Sequence, residues 1–328
     1  MNKDFYIFHG GRLSRKDSTV LFMDQENRKR TLPIQQIEAL HVFGEVDFNT
    51  SFFHLMNKHE IFVHMYNYYG FYSGGFVPRK KQVSGYVDLQ QAQHCWDMEK
   101  RLYIAKMILD SAVHHMVRNI RKKKCDLDSI IYEIEVLKQK LFEAKQIEEL
   151  MGVEGRIRQI YYSAIPELIA KSPFTYTKRE KRPARDPVNA LISFGNTQMY
   201  TTVLGEIYKT TLNPTISFLH QPSSRRFSLC LDLAEIFKPL IVDPIIFRLI
   251  NNRMITPAHF DYIDEKCFLN EQGKKIFLTA YIDKLDMTVK HRKLNRKVSY
   301  RYFIRLECYK IIKHLLGDEV YKPLKAWW

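Results

Sequence analysis

Three positions in this 328-residue chain combine an ionisable side chain with an apolar helical surround, and these could do chemistry. Glu154 sits beside Val153, Ile157, Ile160 and Tyr161, which recur at helical spacing. A glutamate there has a plain alternative use, an i,i+4 pair with Arg158. His220 ends an apolar run at 216–219, and a polar loop at 221–226 follows it. Asp232 and Glu235 then stand three residues apart among Leu229, Leu231, Leu233, Ile236 and Phe237, on one helix face. Two like charges in an apolar run are costly unless a cation or a proton offsets them. Here too there is a plain alternative, with Asp232 near a helix N-terminus, Glu235 paired to Lys238 and His220 a hydrogen-bonded core histidine. Taken together, Glu154, His220 and Glu235, with Asp232 adjacent, offer two carboxylates and one imidazole. That set suits Mg²⁺ or Mn²⁺ with positions left for water and phosphate oxygens. Such an ion stabilises charge on a phosphoryl oxygen and activates an attacking hydroxyl or water. No thiol belongs to the set, which weighs against structural zinc.

The charge balance points to the same class of substrate. The net charge is +15, and an excess of this kind favours polyanions because neutralised phosphates release their counterions. The charge is also clustered. Five basic residues fall within 118–124 and five within 178–185 around Glu180. Residues 287–306 carry Lys290, Arg292, Lys293, Arg296, Lys297, Arg301 and Arg305 with no carboxylate, and Tyr300, Tyr302 and Phe303 are interleaved with the last of them. This last segment reads as a DNA-facing surface, and Arg248 is a further candidate phosphate contact. The cluster at 118–124 has the simpler reading of a helix terminus.

Two grammars position these residues. Seven of the 13 glycines lie in residues 1–85, and short aromatic or β-branched runs at 5–8, 19–23, 39–43, 61–65 and 70–74 predict strands, with one helix at 51–59 between them. Residues 80–85 read as a linker. From 98 onward the period is helical, with one run to about 120, a second from about 127 that continues through 151–155 into Tyr161, and a third headed by Pro187 and reaching 207. Further helices are split by Pro214, Pro222, Pro257 and Gly273. The expected fold is therefore α+β, a β-rich domain over 1–85 followed by a larger all-α catalytic domain over 86–328. The five cysteines form no C-x-x-C pair and suggest neither zinc nor a disulfide framework. With no signal sequence and no span of ~20 apolar residues, a cytoplasmic protein is expected. Nucleotide-binding glycine loops and a G-x-S-x-G elbow are absent.

The blocks MGVEG at 151–155, DPVNALISFG at 186–195, FLH at 218–220 and LDLAEIFKPLIVD at 231–243 resemble, in order, those of the universal CRISPR-associated integrase, the first-numbered Cas protein. GEVDFN at 44–49 and NYYGFYSG at 67–74 resemble its type I-B branch. The resemblance implies an N-terminal domain that dimerises and a helical catalytic domain. It implies Glu154, His220 and Glu235 as metal ligands and Asp232 as a further acidic position near the metal. The implied reaction joins a short foreign DNA to a CRISPR repeat array by 3′-hydroxyl attack on a phosphodiester, and with water as nucleophile it cuts DNA. The implied partners are double-stranded DNA, a second copy of the chain, and a dimer of the small second-numbered Cas protein. A repair nuclease without integration would carry the same site. A non-catalytic DNA-binding assembly protein would use Glu154 and Glu235 only as structural ion pairs.

Overall fold

A computed structural model describes residues 3–79, 82–123, 127–169, 173–180, 183–222 and 227–328. The chain divides into two compact units, Met1–Lys81 and Gln82–Trp328. The first holds β1 (Lys3–Ile7), β2 (Gly11–Lys16), β3 (Thr19–Asp24), β4 (Lys29–Pro33), β5 (Ile37–Val42), β6 (Val46–Phe48), α1 (Thr50–Lys58), β7 (Phe62–Tyr66) and β8 (Tyr72–Phe76). They form two four-stranded sheets, β1-β5-β7-β8 and β4-β3-β2-β6. Asn49 caps α1 by accepting from Phe52 N at 3.0 Å, and Phe52, Leu55 and Met56 bury its apolar side against Leu13, Val20, Leu40 and Val63. The five expected strands and the helix are all present within one or two residues at most ends. β2, β4 and β6 went unseen because β2 and β4 are mostly polar, with a single large apolar residue each apart from Pro33, and β6 is only three residues long.

The second unit is helical and follows the expected change of period. Its elements are α2 (Gly85–Trp96), α3 (Met98–Arg121), α4 (Asp128–Glu143), α5 (Ile147–Ser163), α6 (Ile165–Leu168), α7 (Pro187–Tyr208), α8 (Ser228–Phe237), α9 (Asp243–Asn251), β9 (Phe260–Ile263), β10 (Lys266–Leu269), α10 (Glu271–Asp286), β11 (Thr288–Lys290), β12 (Lys297–Ser299) and α11 (Tyr300–Leu315). Helix α7 is apolar nearly all round and is packed by α8, α9, α10 and α11 or their neighbours, as a helix without a polar stripe must be. A Cβ at Gly195 would lie 2.5 Å from Val242 and 2.8 Å from Phe277, so glycine is what lets α7 close on the segment after α8.

Three expectations are corrected here. The run from 127 to 161 is two helices, since α4 ends at Glu143 and α5 begins at Ile147, with the Glu149 side chain accepting from Lys145 N at 2.8 Å in the join. The all-α expectation missed two antiparallel hairpins, β9–β10 and β11–β12. Gly273 does not split helices. It stands in the first turn of α10, where Asn270 accepts from its N–H at 2.9 Å. Gly85 of the expected linker opens α2, while Lys80 and Lys81 lie outside the described residues.

Candidate metal centre

Helix α5 buries Ile147, Leu150, Ile157, Ile160 and Tyr161 in a core shared with α3 and α4. That orientation leaves Glu154 and Arg158, four residues apart, on the adjoining face and mostly covered. Helix α8 is buried along almost its whole length, and its Glu235 projects toward the same place. The Arg158 guanidinium bridges the two carboxylates, with Nε on Glu154 Oε1 and Nη2 on Glu235 Oε2. Lys238 Nζ adds a contact to the other oxygen of Glu235 at 2.8 Å. Both plain alternatives, Glu154 with Arg158 and Glu235 with Lys238, therefore form, and Arg158 joins them into one network.

The electrostatics follow from burial and sign. Desolvation alone would lower the Arg158 pKa, but Glu154 and then Tyr162 outweigh it and hold the guanidinium charged above its ordinary range. For Lys238 the balance falls the other way, although Tyr162, Glu154 and Asp243 favour its charge. Burial, and after it the Arg158 charge, bring it down to about 8. Deeper in the same region Asp243 accepts from Tyr161 Oη at 2.9 Å, and burial pushes its carboxyl up to about 6. A π-helical turn, Lys238–Val242, links α8 to α9. Pro239 lacks an N–H, and Asp243 N closes the wider turn on the Lys238 carbonyl.

Asp232 has a different task from the one its position suggests. It is fully buried, and its oxygens accept from Phe218 N at 2.7 Å, Leu219 N at 2.9 Å and His220 N at 2.9 Å. Its Oδ1 also faces His220 Nδ1 at 2.8 Å. A carboxylate already taking three N–H bonds is an acceptor, so Nδ1 donates and Nε2 keeps its lone pair. Asp232 thus fixes the ring and tautomer of His220, as the carboxylate behind a metal-bound histidine does, and has no oxygen left over as a ligand.

The donor set fits a hard divalent ion by its chemistry. Two carboxylates from different helices already converge on one cationic group, and an oriented imidazole follows from the same α8 helix through Asp232. Among the described residues, however, no three His, Cys, Asp or Glu side chains stand together closely enough to hold an ion. The structure brings Glu154 and Glu235 together around Arg158 and ties His220 to Asp232. Arg158 is the residue that sequence reasoning undervalued. Its i,i+4 spacing from Glu154 was visible, but its second bond, to a residue 77 positions on, was not.

The basic candidates separate by environment. Arg248 is exposed on α9, and Lys290, Arg292, Lys293, Arg296 and Lys297 are exposed on the β11–β12 hairpin. Arg292 lies over the Trp327 ring at 4.8 Å, Arg296 over Tyr302 at 5.4 Å, and Lys293 reaches Glu319 at 2.8 Å. Arg305 is held differently, donating to buried Glu206 at 2.7 Å, and the Arg301 charge also acts on Glu206. Next to the hairpin, a cavity of about 410 Å³ is lined by Arg292, Lys293, Lys310, Lys313, Lys325 and Trp327, among others. In the other clusters, Arg179 turns inward to Asn189 and Ser193, and Arg118 and Arg121 stand at the end of α3. Lys124, Lys181, Arg182 and residues 223–226 lie outside the described residues.

The family model described as CRISPR associated protein Cas1 matches residues 5–283. The chain belongs to the Cas1 family. The CRISPR-associated endonuclease Cas1 of Clostridium perfringens strain SM101 is 55% identical over the full length of both chains. A Cas1 protein from Thermotoga maritima, of known structure, superposes with a TM-score of 0.89 at 40% identity, covering 97% of this chain and 98% of that one. The Cas1 fold extends further still. A casposase bound to integration product superposes with a TM-score of 0.85 at 19% identity, over 98% of this chain and 92% of that one. The strand-rich unit followed by a helical unit is the architecture expected from the sequence. No described helix is long and apolar enough to cross a membrane.

Proposed function

We propose that this chain is a metal-dependent DNA integrase and endonuclease that inserts short foreign DNA into a CRISPR repeat array. The observation that carries the reading is the convergence of Glu154 and Glu235 on one cation, with His220 held separately by Asp232, which lies on the same helix as Glu235. Glu154, His220 and Glu235 would hold Mg²⁺ or Mn²⁺, which when bound supplies charge stabilisation at a phosphoryl oxygen and an activated hydroxyl or water. Asp232 keeps the His220 ring in one tautomer and one orientation. Lys238, beside Glu235, adds positive charge where a phosphodiester would sit. The substrate's 3′-hydroxyl attacks a phosphodiester at the repeat edge, a new ester forms and the old 3′-oxygen leaves. Water in the same place cuts the strand.

The exposed cations of the β11–β12 hairpin and Arg248 would grip the backbone of double-stranded DNA, prespacer and repeat alike, and set its register. Arg301 and Arg305 border that surface, with Arg305 anchored on Glu206. The related names support the activity, since the Clostridium relative is called an endonuclease and the casposase is bound to integration product. Following the resemblance, the N-terminal unit would dimerise, a dimer of the small second-numbered Cas protein would complete the assembly in the cytoplasm, and the blocks at 44–49 and 67–74 would place the chain in the type I-B branch.

The ion pairs of Glu154 and Glu235 give one other reading a foothold, a DNA-binding assembly protein in which they are purely structural. Glu154→Gln separates the two. With a labelled duplex and a repeat-bearing plasmid, the integrase reading expects the variant to lose joined and cut products while binding DNA and folding as the parent does. A wild-type protein that binds DNA but neither joins nor cuts, with Glu154→Gln affecting only stability, would establish the assembly reading. Cutting without joining would establish a repair nuclease.

A further inference from the structure

The charge balance of the site leads to an inference that rests on the metal-site reading and goes beyond it. Glu154 and Glu235 contribute two negative charges, and Arg158 and Lys238 contribute two positive ones. The four groups are largely buried and mutually neutral. A divalent ion added to this set would leave a surplus of positive charge in a poorly solvated place, even with Asp243 acting on both cations, and that is costly. It would also compete for the very oxygens that Arg158 holds, because one guanidinium nitrogen lies on each carboxylate. Among the described residues Lys238 pairs with Glu235, on the oxygen that Arg158 does not use, and it is not the group that bridges the two carboxylates. Without some cation between them, the carboxylates of α5 and α8 would repel each other across the gap. Arg158 therefore supplies, between the two helices, positive charge of the kind an ion would supply.

We propose that Arg158 is the resident counter-ion of the Glu154–Glu235 pair, that a divalent ion binds by displacing its guanidinium, and that Arg158 thereby sets the metal affinity. Two consequences follow. Arg158 keeps the carboxylates gathered in the metal-free protein and also weakens metal binding there. And because the displaced guanidinium stays charged, the metal-loaded site is positive and is best balanced by a phosphate anion. Metal and DNA then bind cooperatively, each raising the other's affinity by the same factor.

The test is a Mn²⁺ titration followed through the electron paramagnetic resonance of the free ion, on the full chain, with and without a short DNA duplex. Arg158→Met removes the competing charge while keeping an unbranched, flexible apolar side chain. It is expected to bind Mn²⁺ about tenfold more tightly than wild type without DNA, in the range by which groups around a metal's ligands tune its affinity, and to gain less from added DNA. Arg158→Lys keeps the charge and should stay within a few-fold of wild type. Because Arg158→Met leaves the carboxylates facing each other, its melting temperature in chelator should fall and be regained in Mn²⁺. Unchanged or weaker Mn²⁺ binding by Arg158→Met, or a melting loss that Mn²⁺ does not repair, would overturn the inference. His220→Ala separates this from the underlying reading. If His220→Ala loses Mn²⁺ while Arg158→Met is unaltered, only the counter-ion role fails. If His220→Ala binds Mn²⁺ as wild type does, the metal site itself is misplaced.

Discussion

Glu206 and Glu235 are both buried glutamates held by an arginine and a lysine, yet the two networks differ in kind. Glu206 on α7 is one carboxylate between two cations, with Arg305 of α11 at 2.7 Å and Lys209 at 3.0 Å. Burial would raise its pKa, but Lys209 and Arg305 together hold it below the ordinary range. Glu235 instead shares Arg158 with a second carboxylate from another helix. One glutamate with a surplus of cations is a clamp between helices, with nothing left for a ligand to complete. Two glutamates sharing one guanidinium across a gap are held together by a group that another cation can replace. Counting carboxylates per cation, and the helices they come from, distinguishes the two where residue type and burial do not.

The largest expected difference is in activity. Glu154→Gln or Glu235→Gln should bring joined and cut DNA products below detection in a strand-transfer assay. Glu206→Ala should leave activity per folded molecule unchanged. Equal losses in all three would erase the comparison. Stability should run the other way, because Glu206→Ala removes the buried carboxylate that joins Arg305 of α11 to α7. About 3–5 kcal/mol should be lost in a denaturant titration, the usual cost of breaking a buried pair from one side. A loss within error would show the clamp to be idle. Asp232→Asn sharpens the site itself. An amide presents N–H where the protein already supplies donors, so the His220 ring loses its anchor and Mn²⁺ affinity should fall about 10–100-fold by titration.

The smallest effect concerns a buried group belonging to neither network. His115 donates from Nδ1 to the Ile236 carbonyl at 3.0 Å and accepts from Ala326 N at Nε2 at 3.1 Å, which pins the C-terminal segment to α3. Burial first, then the charges of His114, Arg118 and Lys325, depress its pKa to about 3. The unfolded chain takes up the proton at a pKa near 6.5, so stability is full above that value and falls as pH drops toward 3. The slope from this residue reaches about 1.4 kcal/mol per pH unit at most. Chemical denaturation of wild type and His115→Gln between pH 7 and 5 checks it, and parallel curves would exclude His115 as the source.

What the sequence disclosed depended on how local each feature is. The helical period of α3 and α7, and Pro187 at the head of α7, are written within a few residues and were legible. So were the apolar surrounds of Glu154, Asp232 and Glu235. The break at Ala144 carries no proline or glycine to mark it, and polar strands such as β2 are recognised only once Leu13 is seen to face a core. The division of labour around His220 was the least accessible. Asp232 read as a further acidic position beside the ligands because it is an acid one turn from Glu235. Its real partners are the three backbone N–H groups of 218–220, which no periodicity shows. Likewise Arg305 read as one more cation in a DNA-facing run until buried Glu206, 99 residues away, was seen to hold it.

Strand transfer tests the central claim most directly. A labelled duplex with free 3′-hydroxyl ends is incubated with a supercoiled plasmid carrying a repeat array, the small second-numbered Cas protein, and either Mn²⁺ or chelator. Wild type and Glu206→Ala should give covalently joined products in Mn²⁺ alone, and His220→Ala should give none. Joining that persists in His220→Ala, or that proceeds in chelator, would contradict the account.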